Sequence, residues 1–157
     1  MSYFKSLLIV FVFLVSINIS AQERQKITLQ KDWKFSKGEI ERAIQPNFDD
    51  SNWENITIPH DWAIAGPFLE DGDGSTAKLP WKGVGWYRHK FTLPNELSDQ
   101  KVYIIFDGVM AFPEIYLNGR LSGKWDYGYN SFYLDITELV NFSGENTLAV
   151  KTDTRNH

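Results

Sequence analysis

The chain has 157 residues, no cysteine, a formal net charge of −4 and an aromatic content of 15%. This composition excludes a disulfide-stapled fold and gives no basic surface that would attract nucleic acid. The length predicts one compact core, to which the aromatic side chains contribute most of the large apolar area.

The N-terminus has the pattern of a secretory signal peptide. Lys5 precedes an unbroken apolar run from Leu7 to Val15, and small residues follow as far as Ala21. A membrane span needs about 20 apolar residues, so this run is too short for an anchor. We therefore expect residues 1–21 to be a signal peptide cleaved after Ala21, and residues 22–157 to be an exported domain, periplasmic or extracellular.

Beyond that segment, apolar and polar residues alternate over four to eight positions, which is typical of half-buried strands. Helical spacing is almost absent. About eight strands are expected, so the pattern predicts an all-β sandwich. In chain order the predicted strands are Lys26–Gln30, Asp32–Gly38, a short strand ended by Pro59, Gly85–Pro94, Lys101–Gly108, two within Glu114–Trp125, Ser131–Thr137 and Thr147–Asp153. Along Gly85–Pro94 the two faces are expected to carry Trp86, Arg88, Lys90 and Thr92 on one side and Tyr87, His89, Phe91 and Leu93 on the other.

Two of these segments allow sharper predictions. Lys101–Gly108 is nearly all apolar, which favours a central strand covered on both faces. Asn118-Gly119 lies between apolar residues, and this dipeptide accepts the positive φ angles of a type I′ turn. A tight hairpin is therefore predicted there, and the local pattern leaves open whether the aromatic stretch Gly119–Thr137 is a binding loop or scaffold.

A long irregular stretch runs from His60 to Gly85 and is rich in glycine, proline and aspartate. Connections of this length within a compact domain are usually functional or disordered, and the tryptophans in this stretch argue against disorder. The sequence leaves open whether the ordered loop is functional or structural.

Several kinds of chemistry are not supported by the sequence. His60-Asp61 is the only close pair of metal-ligating residues, and Asp71–Gly74 is interpreted as an acidic turn because it lacks the bidentate glutamate and the length of a calcium loop. No nucleophile elbow or dinucleotide fingerprint occurs. We therefore predict no metal, no cofactor and no catalytic residue in this chain.

Sugar recognition fits the long loop better. Sugars are held by aromatic rings against their C–H faces and by polar groups that bond their hydroxyls. The candidate substrate-binding residues on this loop are His60, Asp61, Trp62 and Trp81. The alternative is that the tryptophans are core or loop-anchoring side chains, and for any single tryptophan that is the favoured interpretation.

An ordered set of motifs extends over most of the chain and resembles a known family. The set consists of "IPHDWAI" followed by "GPF", "LPWKGVGWYRHKFTLP", "VYIIFDGV", "EIYLNGRLSGKWDYGYNSFYLDIT" and "NTLAVKTD". In this order and spacing the motifs resemble the N-terminal sugar-binding domain of family 2 glycoside hydrolases, most closely the bacterial β-galactosidase branch.

The resemblance implies a jelly-roll-like β-sandwich that precedes an immunoglobulin-like sandwich and a (β/α)8 barrel. In that family the barrel carries both catalytic glutamates, so the chain alone is expected not to hydrolyse glycosides. It further implies that Asp61 and the loop around Trp81 lie on the side facing the barrel. The expected partners are this barrel and a galactoside-like carbohydrate, and no membrane after signal cleavage.

Two alternatives to this role remain open at this point. One is an independent carbohydrate-binding module that uses the loop from His60 to Gly85, and the other is a purely structural domain that docks on a barrel. If the domain packs on a barrel, one of its faces is expected to carry exposed aromatic side chains when it is alone.

Overall fold

The computed structural model describes residues 24–64, 69–72 and 82–155. Eight strands and two 3-10 helices, Glu41–Ile44 and Asn95–Leu97, are found in this part of the chain. The strands are β1 (Trp33–Lys37), β2 (Glu54–Ile56), β3 (Val84–Phe91), β4 (Tyr103–Phe106), β5 (Glu114–Leu117), β6 (Arg120–Lys124), β7 (Phe132–Asp135) and β8 (Asn146–Asp153). The predicted all-β class is confirmed.

The strands form a six-stranded antiparallel sheet in the order β2-β1-β3-β8-β5-β6 and a two-stranded sheet of β4 and β7. The central pair is β3 and β8, which align from Val84 opposite Asp153 to Phe91 opposite Asn146. Because side chains alternate along each strand, the large sheet has an inner face toward the small sheet and an outer face away from it.

The inner face of the large sheet carries the main core. Phe35, Leu117 and Val150 are buried there among other apolar side chains. The second layer consists of the small sheet, which contributes Phe132, and of the irregular segment 57–64, which contributes Trp62. These two parts lie side by side over one sheet, so the molecule is a β-sandwich whose second layer is partly irregular.

The outer face of the large sheet is covered by the chain between β1 and β2. Ala43 of the first 3-10 helix packs with Val84, Trp86 and Ala149 in a second, smaller cluster. Arg88 lies on the same face and is fully buried. The alternation predicted for β3 is therefore confirmed, since Trp86 and Arg88 lie outside while Tyr87 lies inside.

Two of the strand predictions are wrong. Lys26–Gln30 forms no strand, and its contact with the segment before the long loop is a backbone bond from Ile58 N to Gln30 O of 2.9 Å. β4 is not covered on both faces: Tyr103 and Ile105 are 48% and 64% exposed. The strands with both faces covered are β3 and β8, because they lie in the middle of the large sheet.

The predicted hairpin is confirmed. Asn118 and Gly119 join β5 to β6 with φ angles of 53° and 81°, as a type I′ turn requires. Ser122 is the extra residue of a β-bulge, because Ile115 pairs with Gly123 while Tyr116 pairs with Leu121.

The Asn118 side chain also ties the hairpin to the turn before β8. Its amide nitrogen donates to Leu139 O at 2.9 Å and to Asn146 Oδ1 at 2.8 Å, and its own Oδ1 accepts from Thr147 N at 2.9 Å. Asn146 in turn donates to Asn141 O at 2.7 Å. These bonds satisfy polar groups that lie within the fold, where an unsatisfied group is costly.

We expect the substitution Asn118→Gly to lower the free energy of unfolding by about 1–3 kcal/mol, because glycine keeps the positive φ but removes the side chain that bonds Leu139 O and Thr147 N. Urea denaturation measures the change. The control is Asn130→Gly, since Asn130 is exposed, and its effect is expected to be smaller. Equal losses in the two variants would show that the side-chain bonds of Asn118 do not stabilise the fold.

Candidate functional site

The described part of the long loop begins with the segment His60–Ile64, which crosses the inner face of the large sheet beside β1 and β3. Three of the four predicted substrate-binding residues, His60, Asp61 and Trp62, lie in this segment. The fourth, Trp81, lies outside the described residues, as does the predicted signal peptide. The structure therefore brings three consecutive candidates to one place over the start of β3.

Trp62 is a buried side chain that anchors the loop. It is 9% exposed, and its ring centroid lies 5.9 Å from that of Phe35. Lys37 Nζ lies 5.3 Å from the centroid of the Trp62 ring. The indole is held by packing within the domain, which favours the anchoring interpretation of this tryptophan over that of a sugar platform.

Gly83 and Gly85 lie beneath the Trp62 ring, and Gly85 is in a tightly packed position. A Cβ at Gly85 would lie 3.0 Å from Thr152 Oγ1, 3.2 Å from Phe35 and 3.6 Å from Trp62. A Cβ at Gly83 would lie 3.7 Å from the same indole. A Cβ at position 85 would be too close to Thr152 and Phe35, whereas its distance to the indole is an ordinary contact, so Gly85 serves the packing of Phe35 beneath the loop anchor.

His60 is also held by the sheet. Its ring packs edge-on against Phe35 with centroids 4.8 Å apart, and its Nδ1 lies 3.2 Å from the hydroxyl of Tyr87. Burial, followed by the nearby Asp61 carboxylate, raises the pKa of Tyr87 well above its usual value. The phenol therefore stays protonated and available as a hydrogen-bond partner of His60.

Asp61 differs from its two neighbours because it is exposed. Its Oδ1 accepts a bond from Ala63 N at 2.9 Å, which closes an Asx turn and fixes the direction of the carboxylate. Of the three described candidates, Asp61 is the one whose side chain is exposed to solvent.

The end of the loop is fastened to the end of the last strand. Gly83 N donates to Thr154 Oγ1 at 3.0 Å, and Thr154 N donates to Gly83 O at 2.9 Å. The residue before β3 and the residue after β8 are thus joined by a pair of bonds. Sequence reasoning missed this connection, because it joins positions 71 residues apart.

The described residues show no group of three or more histidine, cysteine or acidic side chains that could hold a metal ion. Of the predicted acidic turn, Asp71 and Gly72 are described, while residues 73 and 74 lie outside the described part. Within the same ranges, no helix has the length and apolarity needed to cross a membrane.

The fold and this loop place the molecule in the class of galactose-binding-like β-sandwiches. A family model described as the galactose-binding domain-like domain of glycosyl hydrolase 2 matches residues 59–157. The chain belongs to this glycosyl hydrolase 2 family. The resemblance seen in the sequence motifs is thereby confirmed.

Known relatives agree with this assignment. The chain is 38% identical over 132 residues to the β-galactosidase BoGH2A of Bacteroides ovatus, covering 83% of this chain and 15% of the relative. It is 34% identical to a β-glucuronidase of Formosa agariphila, covering 86% of this chain and 14% of the relative. A solved β-glycosidase from Bacteroides vulgatus superposes with a TM-score of 0.77 at 36% identity, covering 85% of this chain and 18% of that one.

The chain spans less than a fifth of the length of each of these enzymes. The matched region corresponds to the galactose-binding-like domain of glycosidases. It accounts for the sandwich described above and for the loop that carries Asp61.

Proposed function

We propose that this chain is the non-catalytic N-terminal domain of an exported family 2 glycosidase, and that it contributes Asp61 to the sugar site of that enzyme. The observation that carries the proposal is the exposed Asp61 carboxylate on a loop anchored by Trp62 and His60. A fixed carboxylate bonds pairs of sugar hydroxyls without first losing conformational freedom. The relatives support a glycosidase as the parent enzyme.

The substrate we propose is a β-galactoside, in line with the motif resemblance. The relatives include both a β-galactosidase and a β-glucuronidase, so the complete enzyme is to be assayed with nitrophenyl β-galactoside and nitrophenyl β-glucuronide. Preference for the glucuronide would contradict the galactoside proposal. Alone, the domain is expected to cleave neither compound.

Export is proposed from the N-terminal pattern of residues 1–21. Expression in a bacterium with an outer membrane is expected to give a periplasmic or secreted product whose first residue is Gln22. A product retained in the cytoplasm with Met1 intact would contradict this part of the proposal.

We expect Asp61→Ala in the complete enzyme to raise KM for its glycoside about tenfold with kcat changed less than about twofold, because a contact to the bound sugar is lost in ground and transition states alike. Asp61→Asn keeps the oxygen that accepts from Ala63 N. This variant therefore shows the effect of losing the negative charge while the turn is retained. Steady-state kinetics measure both variants.

The matched control for Asp61 is Glu96→Ala, which removes an exposed acid from the 3-10 helix after β3. Its kinetics are expected to match those of the unchanged enzyme. An unchanged KM in Asp61→Ala, with the fold intact by circular dichroism, would remove Asp61 from the sugar site and leave the docking role as the alternative.

A further inference from the structure

The small sheet of β4 and β7 carries large apolar or aromatic side chains on both of its faces. Its inward side chains pack into the core. Its outward side chains include Tyr103, Ile105 and Tyr133, which are 48%, 64% and 68% exposed. An antiparallel sheet with one face in water normally carries polar residues on that face, so these outward residues depart from the usual pattern.

Three of the four outward side chains, Tyr103, Ile105 and Tyr133, form one continuous patch, here called the small-sheet patch, and the fourth outward residue is Asp135. Ile105 lies directly opposite Tyr133 across the two strands. The rings of Tyr103 and Tyr133 meet edge to face with centroids 5.8 Å apart. A contiguous apolar patch of this kind, on one face of a small domain, marks an interaction surface.

The chemistry of the small-sheet patch fits a protein surface better than a sugar. The rings of Tyr103 and Tyr133 stand 79° apart, so they offer no common plane for a sugar face. Asp135, which lies opposite Tyr103 on the same face, already accepts from Thr137 N at 3.0 Å and from Thr137 Oγ1 at 2.6 Å, and its Oδ2 lies 3.9 Å from Lys101 Nζ. The patch is therefore complementary to another apolar surface, and it offers few groups that could bond the hydroxyls of a sugar.

The position of the patch relates it to Asp61. The small sheet and the loop segment with Trp62 both cover the inner face of the large sheet, and they share one core. Asp61 and the small-sheet patch therefore belong to the same layer of the sandwich. One large neighbour lying over this layer can contact both.

We propose that the small-sheet patch is the surface on which this domain packs against the catalytic domain of its own enzyme. This inference rests on the proposed function. Its support is the large apolar or aromatic side chains on both faces of β4 and β7, the shared layer with Asp61, and relatives in which the matched region is about 15% of a longer enzyme. A second copy of this chain is a poorer occupant, because copies that each carry a net charge of −4 repel one another.

The test compares amide hydrogen exchange in the 157-residue chain with exchange in the enzyme encoded by the complete gene. Peptides that span β4 and β7 are expected to exchange at least about tenfold more slowly in the enzyme, while a peptide from β6 exchanges at the same rate in both. Equal exchange of β4 and β7 in the two proteins would overturn the proposal.

Substitutions provide a second readout. The test variant is Ile105→Arg, and its control is Leu121→Arg. Leu121 is 50% exposed and lies on β6, at the edge of the large sheet. In the 157-residue chain, both variants are expected to have the same melting temperature as the unchanged chain. In the complete enzyme only Ile105→Arg is expected to lower the temperature of thermal inactivation; identical behaviour of the two variants would overturn the proposal.

The remaining outcomes also decide the occupant of the patch. A concentration-dependent dimer of the isolated chain that Ile105→Arg abolishes would assign the patch to a second copy. Heat released on titration with a galactose oligosaccharide and lost in Ile105→Arg would assign it to sugar. A complete gene without a catalytic domain would remove the proposed function together with this inference, whereas equal exchange in an active enzyme removes this inference alone.

Discussion

Arg88→Met is expected to lower the free energy of unfolding by about 3–5 kcal/mol, because it removes a buried cation on which several polar groups depend. The guanidinium is fully buried and bonds Asp50 Oδ2 at 2.7 Å and Gln45 O at 3.1 Å, together with the carbonyl oxygens of Ala43 and Pro46. Without Arg88, the mostly buried Asp50 and these carbonyl groups lose their partner. Urea denaturation of the purified chain measures the loss.

Lys90→Met is the matched control for Arg88, since Lys90 lies two residues further along the same strand. Its ion pair with Glu145 has a length of 2.8 Å, but both side chains are about half exposed. Loss of such a surface pair is expected to cost about 0.5 kcal/mol or less. A loss below about 1 kcal/mol for Arg88→Met would show that the loop between β1 and β2 does not depend on this residue.

Trp62→Ala is expected to lower the free energy of unfolding by about 3–5 kcal/mol, because it leaves a cavity over Phe35 and Gly85 in the main core. The prediction separates the two interpretations of this tryptophan. A core anchor stabilises the fold with or without ligand, whereas a solvent-facing sugar platform contributes little to stability. Thermal and urea unfolding of the isolated chain measure the difference.

Tyr127→Ala is the control for Trp62, because Tyr127 is an aromatic side chain that is 61% exposed. Its effect on stability is expected to lie within about 0.5 kcal/mol. If Trp62→Ala were equally mild and sugar binding by the complete enzyme were lost instead, Trp62 would return to the set of sugar-binding residues.

The sequence predicted most of the strands of the core but not their order in the two sheets. Local patterns predicted β1, β3, β7, β8 and the hairpin, because each of these depends on alternation or on turn chemistry within a few residues. The place of β4 could not be predicted in this way. A run of apolar residues indicates that both faces are covered, but it does not say whether the cover comes from the same domain or from another one.

The candidate site shows the same limit. The sequence left open whether the ordered loop that begins at His60 is functional or structural, and it could not distinguish the buried Trp62 from the exposed Asp61, which is its neighbour. Their difference arises from Phe35 and Gly85, which are distant in the sequence and adjacent in the fold. Arg88 was assigned to the correct face, but its carbonyl partners lie in an irregular segment that has no periodic pattern.

The paired hydrogen bonds between Gly83 and Thr154 determine where this domain is best joined to another polypeptide. They place the point where the chain leaves β8 against the residue where the long loop ends. Any polypeptide fused after residue 155 starts next to this loop, and a rigid fusion would transmit its orientation to Gly83. Domain exchange between family members is therefore best made outside these two residues, so that the donor's loop and exit strand are moved together as one unit.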